Sequence, residues 1–194
     1  LLCLKRAVFI TAGPDSGKTS IIAAMQSMYG RYVYNHSMEK LNAPQTSGPA
    51  PDKLEMGKSR VVMINEAMVP LNRNGIGVVK AQTGGEGGER QRGMFSGEMQ
   101  EVCNHAQLWV VSNLKYTDLV ENELRDEATE RRLLHIPMYT KCVTTSQDDE
   151  NPLNIKADDT IKHQFIKSSA PSWLFFKHVW PWLKIPPKER KKEI

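Results

Sequence analysis

Lys5-Arg6-Ala7-Val8-Phe9-Ile10-Thr11 leads into Ala12-Gly13-Pro14-Asp15-Ser16-Gly17-Lys18-Thr19, which leads in turn into Ser20-Ile21-Ile22-Ala23-Ala24-Met25. The first segment is short, apolar and partly β-branched, and it stops at a glycine–proline turn, so it predicts a buried strand. The third is rich in alanine and methionine and meets a C-terminal stop at Gly30, so it predicts a helix. Between them, Ala12 to Ser20 read as a phosphate-binding loop. Backbone N–H groups of such a loop converge on phosphate oxygens, and the helix that follows adds the positive end of its dipole. Lys18 is placed to reach the β- and γ-phosphates, and the Thr19 hydroxyl to ligate Mg²⁺. Gly17 is required because a side chain there would block the close approach of backbone to phosphate. Ala12 stands where the commonest form of the pattern has glycine. The loop calls for ATP and Mg²⁺ as cofactors.

Downstream, Arg31-Tyr32-Val33-Tyr34-Asn35 predicts a second strand, and Ser37 to Lys58, rich in Pro, Gly and polar residues, predicts mostly loop. Ser59-Arg60-Val61-Val62-Met63-Ile64 is a short apolar run that delivers Asn65 and Glu66. An apolar strand with an acid at its C-terminal end is the usual partner of a phosphate loop, because both then meet the same phosphates. Glu66 is therefore the candidate for polarising an attacking water, and Thr19, Asn65 and Glu66 are the candidate metal-side residues. Asn72 to Gln82 predicts a short helix. The glycine run from Thr83 to Gly88 predicts neither helix nor strand. Arg90 to Gln100 predicts a hairpin turning near Ser96-Gly97, and Ala106 to Val111 a strand closed by Ser112-Asn113. Asn113, at that strand's tip, can hold the water or sense the γ-phosphate.

Glu121 to Arg131 is charged and helix-favouring, and Arg131-Arg132 lead into a final strand, Leu133-Leu134-His135-Ile136-Pro137-Met138. Thr140 to Asn154 predicts loop, and Ile155 to Lys167 a helix with Asp158 and Asp159 near its start. Trp173, Phe175, Phe176, Trp180 and Trp182 form an aromatic patch suited to packing, and the tail beyond Lys184 is basic and solvated. The organisation expected is an α/β ATPase core over 1–139, with a mainly parallel central sheet and a β-hairpin insertion. A small helical, aromatic segment with a basic tail follows over 140–194.

The 194 residues carry a net charge of +4, with 40% hydrophobic and 25% charged residues. These values sit within the ordinary globular range and argue for neither disorder nor a membrane. No apolar run approaches a bilayer span and no secretory signal is present, so no membrane partner is expected. Cys3, Cys103 and Cys142 lack metal-ligand spacing and read as reduced thiols, which suits a cytoplasmic setting. The start at Leu1, without methionine and close to the first strand, suggests a piece of a longer protein.

A phosphate loop, a strand ending in an acid, a Thr-Gly-Gly segment with arginines, a strand ending in Asn113 and an Arg pair before the last strand follow one another in compact order. That order resembles the superfamily 3 helicases of DNA viruses and mobile elements, and most nearly the pox-type primase-helicases of large DNA viruses and some phages. Met56 to Glu66 is similar to that branch's Walker B segment. Lys80-Ala81-Gln82-Thr83-Gly84-Gly85-Glu86, followed by Arg92-Gly93-Met94-Phe95, looks like its middle motif, and Arg131 to Met138 like its arginine-containing lead to the last strand. Asn65 before Glu66 departs from the usual pair of acids. Neither a primase segment nor a helical collar is recognisable, so ring formation is expected of the full-length protein.

The resemblance implies an AAA+-like core in a hexameric ring around single-stranded DNA, in company with other replication proteins, in the host cytosol or at a viral replication site. It places ATP between neighbouring subunits, with Lys18, Glu66 and Asn113 on one side and Arg131 or Arg132 reaching in from the next. It also implies that the hairpin faces DNA, with Lys80, Arg90 and Arg92 near its base and Met94 and Phe95 near its tip. A motor must grip phosphates whatever the bases, which suits basic groups with an apolar wedge. The competing classes are a small-molecule P-loop kinase and a non-unwinding ATP-gated assembly or packaging module.

Overall fold

In a computed structural model of the protein, the described residues are 6–44, 50–84, 89–92, 99–102, 106–143, 151–158, 160 and 168, with 89–92 and 99–102 described by backbone alone. The chain runs through β1 (Ala7–Ala12), α1 (Lys18–Tyr29), β2 (Val33–His36), α2 (Met38–Leu41), α3 (Pro51–Lys58) and β3 (Val61–Ile64). It continues through α4 (Arg73–Gly84), β4 (Glu89–Arg92), β5 (Met99–Val102), β6 (Gln107–Ser112) and α5 (Tyr116–Leu119). Last come α6 (Glu127–Glu130), β7 (Leu133–Met138), β8 (Lys141–Val143) and β9 (Asn154–Lys156), with short 3₁₀ turns at Gly30–Tyr32 and Asn122–Leu124.

The central sheet has the order β2-β3-β6-β1-β7, and each neighbouring pair is parallel. The inner strands β1, β3 and β6 are mainly apolar on both sides, as a parallel sheet covered on both faces demands. Val8 and Ile10 of β1, Val61 and Met63 of β3 and Val111 of β6 pack with Ile22 and Met25 of α1 on one face. Phe9, Val62, Ile64, Leu108 and Val110 face the other way, under Met38, Leu41, Met56, Ile76, Val79 and Leu119 from the helices α2 to α5. The period-2 alternation of the strands thus makes an α/β fold of three layers. The expected fold class is what the structure shows, including the hairpin: β4 and β5 pair antiparallel with Arg92 opposite Met99. Residues 93–98, which hold Met94, Phe95 and the turn, lie outside the described residues.

Four local expectations are corrected. Ser37 to Lys58 is not mostly loop, because Ser37 caps α2 by accepting from Lys40 N, and Pro51 opens α3 at its first turn. Proline fits there because its missing N–H has no partner in that turn anyway. Thr83 and Gly84 belong to the last turn of α4, where the Thr83 hydroxyl donates to the Val79 carbonyl at 2.7 Å. Residues 140–154 contain β8, and Ile155 lies in the strand β9 rather than in a helix, the two strands pairing in parallel. The remainder of the expected helix, the aromatic patch and the basic tail lie outside the described residues, apart from Ala157, Asp158, Thr160 and the tail-ward Ser168. Among the described residues no helix is long and apolar enough to cross a membrane.

The start of α4 is fixed by Asn42, which follows α2. Its side chain accepts from Asn72 N at 3.1 Å and donates to the Pro70 carbonyl at 2.8 Å, while its own carbonyl accepts from the Asn72 and Asn74 amides. Gly75 makes this approach possible: a Cβ there would strike the Asn42 side-chain oxygen and lie 2.6 Å from Leu71 Cδ1. Gly75→Ala is expected to destabilise the protein by about 1–3 kcal/mol despite alanine's better helix propensity, because overpacking outweighs that gain. Denaturant unfolding measures it, and a variant as stable as the parent would show that Asn42 yields freely.

Candidate active site

The loop expected to bind phosphate turns tightly between β1 and α1. Gly17, which precedes the helix, has φ 85°, and Asp15 has φ 57°, both in the left-handed region. For Asp15 that conformation costs roughly 1–2 kcal/mol and is held from outside, since its carbonyl accepts from Cys142 N of β8 at 2.6 Å. Lys141 N, next along the same strand, donates to the Leu153 carbonyl ahead of β9. Successive N–H groups of a strand point opposite ways, so β8 lies between the loop and β9. Cys142 Sγ sits 3.9 Å from the point where a Cβ on Gly17 would lie.

Lys18 folds back over the loop, donating to the Ala12 carbonyl and the Ser16 hydroxyl, each at 3.0 Å, and to the Gly13 carbonyl. Burial lowers the pKa of its ammonium from the ordinary value, and the Asp15 carboxylate pulls it partly back. Nothing lies within 4 Å of a Cβ built on Gly13, so that part of the loop is open. An open cavity of about 180 Å³ lies in front, at the C-terminal ends of β1, β3 and β6. Pro14, Asp15, Lys18 and Thr19 line it from the loop side, and Asn65, Glu66, Val111, Ser112 and Asn113 from the strands beside it. The structure therefore brings Lys18, Thr19, Asn65, Glu66 and Asn113 to one place.

Glu66 is exposed and has φ 53°, a rare conformation for a residue with a long side chain. The residue after it, Ala67, is buried and tied twice to β6: its N–H donates to the Val111 carbonyl at 3.0 Å, and its carbonyl accepts from Ser112 Oγ at 2.5 Å. Behind the loop, β1 is also tied to β7, with Thr11 Oγ1 2.7 Å from His135 Nε2. The Tyr116 ring stacks on His135 with centroids 4.3 Å apart, and the Arg125 guanidinium lies over the Tyr116 ring, 4.8 Å from its centroid. Burial, then the Arg125 charge, lowers the His135 pKa from its ordinary value.

The other expected site residues lie elsewhere. Arg131 and Arg132 precede β7, and Ala7 N donates to the Arg132 carbonyl. They therefore stand at the N-terminal end of a parallel sheet whose C-terminal end carries the loop. Six strand residues separate those ends by about 20 Å. Arg131 is exposed and pairs with Glu127 within α6, whereas Arg132 is half-buried, donates to the Ala128 carbonyl at 2.8 Å and buries an Nε without a partner. Lys80, on α4, pairs with Asp126 at 2.8 Å, and Asp126 also caps α6 by accepting from Thr129 N. Arg90 and Arg92 lie in β4, with Arg90 opposite Glu101 in the register.

Two partners in the site escape a reading of sequence. Ser112 looks like the end of a strand, and its bond to Ala67 spans 45 residues. The backbone N–H of Cys142 carries no sequence signal at all.

No family model matches the chain, and no curated protein matches it. Among solved structures, the apo structure of the NrS-1 C terminal region (305–718) is similar over 88% of this chain, at TM-score 0.55 and 15% identity. The A form apo structure of the same region is similar over 86%, at TM-score 0.53 and 16% identity. NtrX from Brucella abortus in complex with ADP matches at TM-score 0.44 and 10% identity over 72%, too slight to build on. The chain spans only 36% and 34% of the two NrS-1 chains. At such identities the likeness is one of fold alone, and it agrees with the mainly parallel α/β sheet described above.

Proposed function

We propose that this chain is the ATP-hydrolysing motor of a DNA helicase, acting as one member of a hexameric ring on single-stranded DNA. One observation carries the reading: the ends of β1, β3 and β6 gather Lys18, Thr19, Asn65, Glu66 and Asn113 around one cavity, while the arginine pair stands at the far end of the sheet. The first group fits a nucleotide triphosphate. The second cannot serve its own loop across about 20 Å of sheet and suits a neighbour's.

The donor set also fits Mg²⁺. A hydroxyl from Thr19, an amide oxygen from Asn65 and a carboxylate from Glu66 are hard oxygen ligands, and Mg²⁺ commonly takes one or two carboxylates with the substrate's own phosphates. Bound there with ATP, the ion would neutralise phosphate charge. Lys18 leaves the loop carbonyls for the β- and γ-phosphate oxygens, whose charge rewards it more than three neutral acceptors do. Glu66 takes up the attacking water's proton, and Asn113 orients that water.

Arg131 is the better presented of the two arginines. Its side chain is 75% exposed, and its ion pair with Glu127 is a surface one that breaks cheaply. In the ring-forming protein, Arg131→Ala and Lys18→Ala subunits are each expected to be inactive alone, and mixing them should restore turnover at mixed interfaces. No recovery on mixing would remove the in-trans role.

The test of the function itself is whether single-stranded DNA stimulates ATP turnover. A helicase motor responds to DNA and needs no phosphate acceptor. Turnover that ignores DNA but follows a small-molecule acceptor would make the chain a kinase, and turnover that follows neither would favour an assembly module.

A further inference from the structure

The geometry points to Ser112 as the positioning residue that aims Glu66 at the water, an inference that rests on the hydrolytic reading above. Glu66 lies just past the end of β3, where no ladder bond fixes it, and it holds a left-handed backbone at φ 53°. A long-chain residue keeps such a conformation only when its surroundings over-determine it. The surroundings here are two bonds to the next residue. Val111 accepts from Ala67 N at 3.0 Å, and Ser112 Oγ donates to the Ala67 carbonyl at 2.5 Å.

Ser112 borders the cavity, so a role as a phosphate ligand has to be weighed. A serine hydroxyl has one proton to donate. Ser112 spends it on Ala67, and its oxygen also accepts from Leu114 N at 3.0 Å. The side chain is 1% exposed, which fits a clamp inside the wall better than a ligand on its surface. One hydroxyl thus joins the exit of β3, which carries Glu66, to the exit of β6, which carries Asn113. The two groups that meet the water are set against each other by Ser112 and not by contact between themselves.

Ser112→Ala removes the bond and leaves every proposed phosphate and metal ligand in place. The expected result is ATP·Mg²⁺ affinity within about twofold of the parent, with turnover slowed roughly 10–100-fold, as displacing a catalytic group by a fraction of an ångström to an ångström does. Ser112→Cys, similar in volume and a weak donor, should fall between, and it supplies the measurement if the alanine variant does not fold. The deciding readout is the pair Ser112→Ala/Glu66→Gln. If Ser112 acts through Glu66, the double variant is no slower than Glu66→Gln alone. A merely structural serine would slow both backgrounds by the same factor, and that result, or full turnover in the folded Ser112 variants, overturns the inference. Full turnover in Glu66→Gln itself would instead overturn the role of Glu66 as the base, on which the inference rests, and leave ATP hydrolysis itself standing.

Discussion

Lys18→Ala is expected to abolish ATP turnover while the protein stays folded. Every hydrogen bond of its ammonium goes to the loop's own Ala12 and Gly13 carbonyls and the Ser16 hydroxyl. Among the described residues these bonds stay within the loop and the end of β1 that leads into it, so their loss leaves the core packing untouched. Its charge is also partly desolvated, which offsets what those bonds contribute. Stability within about 1 kcal/mol of the parent follows, since one charged group's bonds are exchanged for water's. The phosphates, in contrast, lose the one lysine among the described residues that line the cavity. Losing a preorganised group aimed at developing charge typically costs ~10²–10³-fold, and the lost phosphate binding adds to it. A purified, folded Lys18→Ala variant with normal turnover would remove the phosphate-loop reading, and with it the site.

How much of this could be read from the sequence divides along a physical line. The strand and helix around the loop were legible because each segment carries its own period and its own stops. β7 matches its expected bounds, Leu133–Met138, because an apolar run follows a charged stretch directly. α2 and α3 were hidden by composition: a Pro- and Gly-containing region reads as loop until Ser37, as a cap, and Pro51, as a first-turn residue, are weighed. Both signals are in the chain. The pairing of β8 with β9, and of β8 with the loop, is of another kind. Three-residue strands bear no pattern, and the bond from Cys142 N to the Asp15 carbonyl belongs to two backbones brought together only by the fold.

The candidate site divides the same way. Lys18 and Thr19, which open α1, and Glu66 and Asn113, just past the ends of β3 and β6, are announced by residue type and place, and the parallel order of β3, β6 and β1 sets them side by side. Lys80 shows the converse. Its position beside a Thr-Gly-Gly segment points to a DNA contact, and the fold adds a pairing the sequence does not show, with Asp126, the residue that caps α6. A basic residue's sign is legible in sequence, but whether the charge is spent inside the fold is not.

Glu66→Gln is expected to bind ATP·Mg²⁺ about as well as the parent and to hydrolyse it ~10²–10⁴-fold more slowly, the usual cost of losing a general base. The amide keeps an oxygen for the metal side and loses only the capacity to take a proton, so binding and chemistry separate. If Glu66→Gln instead loses ATP·Mg²⁺ binding, the carboxylate's task is coordination, and Asn113 is left to orient the water alone. Glu66→Gly asks a second question of the same position. The left-handed backbone at φ 53° costs a side-chain-bearing residue roughly 1–2 kcal/mol, whereas glycine's extra chain entropy costs about 0.5–1 kcal/mol. Glu66 is also exposed. The glycine variant is therefore expected to be at least as stable as the parent in denaturant unfolding, and to be inactive. A residue kept in strain, at a position where removing it improves the fold, is held there for what its carboxylate does. A glycine variant that loses stability would instead show that Glu66 is part of the scaffold.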